Sequence, residues 1–471
     1  MKSQSHKLSV LEKIGFGSGD AAVNVVISAF FLITTFFYTD IFGIKPTDVA
    51  ILFLLVRFMD AIADPVMGLI TDKFKFKGGR YRPYFLALSV PYGLAIFLAF
   101  STPDFNYASK LVYAYSTYII LNLLFTSVTI PYISIISVLT SDPKEKLSAN
   151  GYRLFFAKVA ALLLSWGVPR MAKFVGKIDW STFSIGHMSS YQVLEKPNMA
   201  LGYQVAMGIM ALMGTLLFIF SYFTTEERIE HVTEKQPIWD QLKLLVKNSQ
   251  WSILWGSCIS GTIGYVIRAA VAIYYAKYYL GGDEKIQGTF MAVGVIASIL
   301  AMPLSTFITK RFDKVKLFWI SQLGVGVISV IMYIFVKPDD LMLAYVMYFI
   351  LMLVVDVHAP VFWSAIAEAV DYGQAELGKR VSGLAFGGIS FAQKAGMGIG
   401  GAIVGFLLAG FGYIQPTEAI PDPVQPHTSL LGITLMLTLI PSIFHIINGL
   451  LIMRYKITDK YYEGIKAKLN L

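Results

Sequence analysis

Apolar runs long enough to cross a bilayer recur from one end of the chain to the other, and no other feature constrains its fold so tightly. They fall at about 15–38, 47–70, 83–101, 110–139, 153–175, 203–223, 252–279, 287–309, 317–336, 341–367, 384–411 and 429–453. About 20 helical residues, rising ~1.5 Å each, cover the ~30 Å hydrocarbon core. No water reaches that core, so each backbone N–H and C=O must be paired by the protein itself. Only helices and closed barrels manage this. Runs of this length predict helices, and the expectation is an all-α membrane protein with twelve transmembrane helices and the lipid bilayer as its solvent.

Composition agrees. Only 15% of the 471 residues are charged, against about 25% in soluble domains. The net charge of +9 does not point to nucleic acid, because Lys and Arg sit in short loops between apolar runs rather than on one face. The single cysteine, Cys258, lies inside an apolar run, so neither a disulfide framework nor a cysteine metal cluster is expected. The polar stretch Met1 to Lys13 precedes a run too long for a signal h-region, which predicts no cleaved signal peptide. No Walker P-loop, GxSxG or HExxH occurs. The chain therefore reads as no enzyme, with no organic cofactor and no ATP-driven engine, which leaves ion-gradient coupling.

Basic residues concentrate in alternate loops: Lys73 to Arg82 (KFKFKGGRYR), Ser141 to Arg153, Thr225 to Lys247, Lys310 to Lys316 (KRFDKVK), Asp371 to Arg380 and the tail from Arg454. The opposite loops, such as STPDFNYASK from Ser101 and GYIQPTEAIPDPVQPH from Gly412, hold few. The positive-inside rule then places both termini in the cytoplasm. The longest polar break divides the chain into a six-helix half over 1–223, a central loop over 224–250, a second half over 251–453 and a tail over 454–471. Within the central loop, Ile238, Leu242 and Leu245 recur at helical spacing, predicting an amphipathic interfacial helix. GLITDKFKFKGGR from Gly68 is echoed by STFITKRFDKVK from Ser305 at the same relative place. Two parallel halves of this kind make the major facilitator fold.

Charges inside the runs carry the functional signal, since each is costly in lipid and functional by default. The second run holds VRFMDAIADP, placing Arg57, Asp60 and Asp64 at i, i+3 and i+7 on one helix face. Two acids and one base leave a residual negative charge, which suits a monovalent cation or an exchangeable proton. The competing reading is a structural ion pair. Pro65 frees a backbone carbonyl one turn earlier as a further oxygen ligand. Asp20 follows GFGSG, whose glycines permit close packing; it is either a buried functional acid or a helix-start carboxylate facing the helix dipole. Thr126 and Thr129 share a face before Ile130 and Pro131, and either ligate or bond back to their own helix. Lys394 is central in its run and needs an anionic partner, for which the second-run acids are candidates. Arg268, Asp356 and His358 are also intramembrane and fit a structural role at least as well. Trp363 either stacks on a sugar ring or anchors the helix.

Together with these charges, FYTDIFG (Phe37 to Gly43), RFMDAIADPVMGLITD (Arg57 to Asp72) followed by GGRYRP, TIPY (Thr129 to Tyr132), YFTTEER (Tyr222 to Arg228) and EAVDYG (Glu368 to Gly373) with the following GKR appear in order through both halves. In these the chain resembles the glycoside–pentoside–hexuronide:cation symporters, the melibiose permease-like branch of the major facilitator superfamily. The resemblance implies symport of a sugar with sodium, lithium or a proton by alternating access in a bacterial inner membrane, by a protein that works as a monomer. It also implies Asp60, Asp64 and Thr126 as cation ligands (the metal ligands if sodium is the ion), Asp20 and Arg153 as sugar contacts, and Lys394 as the link between the two sites. Thr129 stands where melibiose-type members have a second sugar-binding Asp, Gly19 where they have Lys, and Ile133 where they have Trp. These departures take a galactoside out of what is implied and leave a sugar as the class. Thr129 either weakens recognition of neutral hydroxyls or makes room for an anionic substituent. A proton-coupled exporter of drugs or metabolites on the same fold is the alternative, disfavoured because exporters use apolar, adaptable pockets.

Overall fold

The computed structural model describes residues 7–76, 78–140, 143–180, 194–228, 238–381, 383–417, 420 and 422–469. These residues are almost wholly helical, with no β-sheet among them. In order the helices are α1 (Val10–Leu32), α2 (Pro46–Lys73), α3 (Arg82–Ala99), α4 (Tyr107–Leu139), α5 (Ser148–Gly176) and α6 (Met199–Thr224). There follow α7 (Ile238–Lys247), α8 (Ser249–Tyr279), α9 (Glu284–Thr309), α10 (Lys314–Phe335), α11 (Leu341–Leu377), α12 (Gly383–Gly410), α13 (His427–Ile452) and α14 (Asp459–Leu469). Eleven of them are long and apolar enough to cross a membrane. The remaining expected span is α2, whose 28 residues also suffice but whose face carries Arg57, Asp60 and Asp64. The chain is a multi-pass membrane protein.

Polar caps set where several helices begin. Ser9 and Glu12 form a reciprocal capping box at α1, Ser9 Oγ accepting the Glu12 N–H at 3.2 Å and Glu12 Oε2 accepting the Ser9 N–H at 2.8 Å. Asn106, Asn198 and Asp313 accept the first free N–H groups of α4, α6 and α10. The first span therefore starts five residues before the expected 15. It ends at Leu32, where Ile33 leaves helical geometry, before a short turn (Thr34–Phe36) and a π-helical turn (Phe37–Ile41).

The chain forms two compact units. The first comprises Met1–Thr233, Asp283–Thr289 and Gln415–Val424; the second comprises Glu234–Gly282, Phe290–Ile414 and Gln425–Leu471. Within the first, α1 packs on α5 and α6, α3 on α4 and α6, and α2 chiefly on α4. The YFTTEER landmark closes one end of this unit. Glu227 accepts the successive N–H groups of Arg80, Tyr81 and Arg82 at 2.8, 2.7 and 2.8 Å, an amide nest filled by a carboxylate. Gly79 opens the nest at φ 123°, and a first side-chain carbon there would lie 2.5 Å from Glu227 Oε1. Arg228 ion-pairs with Glu12 and donates its backbone N–H to the Val138 carbonyl at 2.9 Å, tying α6 to α1 and α4.

In the second unit α8 packs on α12 and α13. The α13 helix breaks at Thr438, because Pro441 has no N–H to give the Leu437 carbonyl. Arg268, fully buried, supplies the missing donor from Nε at 3.0 Å. Its other contacts are Ser329 Oγ at 3.4 Å and His445 Nε2 at 3.1 Å, so among the described residues it holds a broken helix rather than a carboxylate. Asp356 accepts from Ser298, and His358 lies 2.9 Å from Gln322 Nε2. Helix α7 is amphipathic: Leu245 is 4% exposed inside the core while Trp239 is 76% exposed. The middle of the central loop, 229–237, lies outside the described residues. Helix α14 folds back on α11 through Tyr462, which donates to Asp371 at 2.6 Å.

Candidate functional site

Two polar clusters occupy the interior of the first unit. The first stands between α2 and α4. Arg57 Nη1 is 2.7 Å from Asp60 Oδ2, and Thr126 donates its hydroxyl to Asp64 Oδ1 at 2.9 Å. The spacing i, i+3 and i+7 puts the three charges on the stripe of α2 that meets α4. Asp60 and Thr126 are 4% and 1% exposed, and Asp64 is half-buried. The open alternative for Thr126, bonding only to its own helix, does not describe it. Pro65 sits within α2, so the Ala61 carbonyl one turn earlier has no donor from residue 65. Two carboxylates and a guanidinium of α2 thus meet hydroxyl and amide oxygens of α4. Such an arrangement is able to bind a hard monovalent cation or to take up a proton.

Sequence reading missed two members of this cluster, Asn122 and the Tyr118 that faces both it and Arg57. Asn122, 3% exposed, lies one turn before Thr126 and accepts from Arg57 Nη2 at 3.4 Å. Its signal was the four-residue spacing that puts it on the same face as Thr126.

The second cluster surrounds Asp20, at the eleventh residue of α1 and 6% exposed. That position is too deep for a helix-start carboxylate, and the dipole reading of Asp20 is corrected accordingly. Arg153 of α5 lies 3.3 Å from Asp20 Oδ1. Asn24, one turn along α1, donates to Asp20 Oδ2 at 3.3 Å; sequence reading missed it too, although it shares Asp20's face. Tyr132 of α4 donates to the Phe16 carbonyl at 2.8 Å. Its ring explains Gly19, since a side-chain carbon there would come within 2.5 Å of Tyr132 Cε2. A lysine at this position would require the ring to leave. Thr129 is 7% exposed and its buried hydroxyl makes no hydrogen bond. An unpaired buried hydroxyl is costly. The cluster thus offers a charged acceptor, a guanidinium and an amide at one place, the groups that bind the hydroxyls of a polyol ring.

Lys394 and Trp363 belong to the second unit. Lys394 is half-buried in the middle of α12. Trp363 on α11 is 45% exposed, with its ring 5.6 Å from that of Phe362.

Known proteins match this chain over nearly its full length. The model of the MFS/sugar transport protein family matches residues 15–459. The putative glycoside/cation symporter YagG of Escherichia coli (strain K12) is 32% identical, over 98% of this chain and 95% of its own. The inner membrane symporter YicJ of the same organism is also 32% identical, over 96% and 93%. Among solved structures, a D-xylose–proton symporter superposes with a TM-score of 0.61 at 12% identity, covering 94% of this chain and 95% of that one, a likeness of fold. The resemblance to glycoside–pentoside–hexuronide:cation symporters therefore holds over the whole sequence, and the chain belongs to the MFS sugar-transport family, a family of transporters and not of enzymes.

Proposed function

We propose that this chain is a symporter that brings a glycoside, pentoside or uronide-type sugar into a bacterial cell together with a sodium ion or a proton, by alternating access. The observation that carries this reading is the α2–α4 cluster, where Asp60 pairs with Arg57 and Asp64 accepts from Thr126 inside a membrane helix. Ionisable groups inside a membrane helix are an expense in lipid unless they serve the working cycle. Asp60, Asp64 and Thr126 are the cation ligands in this reading. Asp20 and Arg153 hold the sugar in this reading, and Thr129, Trp363 and Lys394 are its further substrate residues. The name of the E. coli glycoside/cation symporter supports the pairing of substrate classes. The protein functions as a monomer in the inner membrane.

The test is uptake of a panel of labelled glycosides, pentosides and uronides into vesicles holding the purified protein, with sodium and pH gradients imposed separately. Concentration of at least one sugar under one gradient is expected. Efflux of amphipathic drugs with no sugar taken up under either gradient would replace symport by export.

Orientation is tested separately. The basic loops predict that Thr417→Cys reacts with an impermeant thiol reagent added outside spheroplasts, whereas Lys460→Cys reacts only after permeabilisation. Both positions are exposed, and the native Cys258 is 8% exposed in the core, which keeps the background low. The reverse labelling pattern overturns the orientation.

A further inference from the structure

The ion cluster already holds a cation of its own. Arg57 grips Asp60 through Nη1 at 2.7 Å, so a coupling ion arriving at Asp60 meets a guanidinium in possession. Two positive charges on one buried carboxylate repel strongly at low dielectric. The guanidinium cannot simply be released, because a charged group without an acceptor in the membrane interior is costly.

Asn122 answers that difficulty. Its Nδ2 donates to the Tyr118 carbonyl at 2.9 Å, one turn back on α4, which orients the amide so that Oδ1 faces Arg57. Nη2 of Arg57 is 3.4 Å from that oxygen, at the long end of hydrogen-bond range. Nε of the same guanidinium is buried and makes no hydrogen bond. The group therefore touches a strong acceptor with one arm and a neutral acceptor, loosely, with another. A small rotation would exchange them.

We propose that Asn122 is the receiving acceptor for Arg57, a positioning residue that lets the coupling cation take Asp60. In the empty site Arg57 neutralises Asp60. On ion binding the guanidinium turns onto the Asn122 carbonyl oxygen and Asp60 becomes a ligand. Apparent ion affinity then reports the balance between Asp60 and Asn122 for Arg57, with the Tyr118 hydroxyl of α4 facing the same guanidinium. The proposal rests on the reading of Asp60 and Asp64 as the ion site.

The experiment follows the thermal stability of purified protein in nanodiscs. Sodium chloride is titrated against choline chloride, and pH is titrated without sodium, since a ligand of the native state raises Tm according to its affinity. Asn122→Ala is expected to shift the midpoint of whichever titration the wild type shows about tenfold towards weaker binding, or one pH unit towards acid. Asn122→Asp, a stronger partner for Arg57, shifts it the opposite way. In an Arg57→Gln background, Asn122→Ala shifts nothing, because no guanidinium remains to be received. Weakening by both Asn122 variants, or an undiminished Ala effect without Arg57, would make Asn122 a packing residue and overturn the proposal. Should Arg57→Gln fail to fold, the opposite signs of the Ala and Asp variants decide alone. An Asp60→Asn protein that keeps the wild-type titration, or a wild type without one, overturns the ion-site reading as well. Loss of the titration in Asp60→Asn with no Asn122 effect overturns the receiving role only.

Discussion

Vesicles carrying Asp64→Cys are expected to equilibrate sugar across the membrane but not to concentrate it, and vesicles carrying Asp60→Cys to do the same. Each carboxylate holds a different partner: Arg57 at 2.7 Å from Asp60, and Thr126 at 2.9 Å from Asp64. Removing either takes one carboxylate out of the cluster, and with it an oxygen ligand and a negative charge for the ion. Linkage requires ion and sugar to raise each other's affinity by the same factor. A site that no longer binds the ion cannot pass on the free energy of its gradient. Asp20 and Arg153 stand on α1 and α5, so recognition of the sugar persists and downhill movement or exchange continues. The accumulation ratio is expected to fall to about one in sugar uptake measured with sodium and pH gradients imposed separately. Full concentrative uptake by one variant would remove that residue from coupling. Retention by both would return α2 to a structural ion pair.

The second large effect concerns Asp20→Asn. The substitution keeps the shape of the side chain and removes the charge that faces Arg153 at 3.3 Å. A carboxylate accepting sugar hydroxyls makes charge-assisted bonds, and their loss should cost about 1.5–3 kcal/mol, roughly ten- to a hundredfold in sugar affinity. Binding of the ion measured without sugar should stay near the wild-type value, since the Asp20 partners and the α2–α4 partners are different residues. Equilibrium binding of the transported sugar to purified variant checks both statements. Unchanged sugar affinity would show that Asp20 serves only the packing of α1 on α5.

These effects depend on arrangements that differ in how visible they are from the chain alone. The three charges of α2 share a face by spacing, so their meeting was predictable without any knowledge of other helices. Thr126 came with a choice, ligand or self-bonded hydroxyl. Packing of α2 on α4 resolved it by bringing Asp64 within reach. Gly19 was visible only as a departure from the family pattern; the ring of Tyr132, 113 positions further along, gives the reason. For Arg268 the sequence offers a structural role without a partner; the partner is the carbonyl that Pro441 leaves unpaired.

Hydropathy, caps and charge spacing sufficed to read a membrane protein of long helices, most helix starts to within about five residues, and which charges stand on one face. These properties are local: hydropathy, caps and a period of 3.6 residues act within a turn or two of the chain. Which residues of separate helices meet came from packing alone. It set Asn122 against Arg57, Asn24 and Arg153 around Asp20, and Glu227 in the nest of the α2–α3 loop. Membrane helices associate through side-chain packing and interhelical hydrogen bonds, because the lipid supplies no hydrophobic drive between them. The partner of a polar group in lipid is therefore chosen by the fit of whole helix faces, and that fit has no period along the chain.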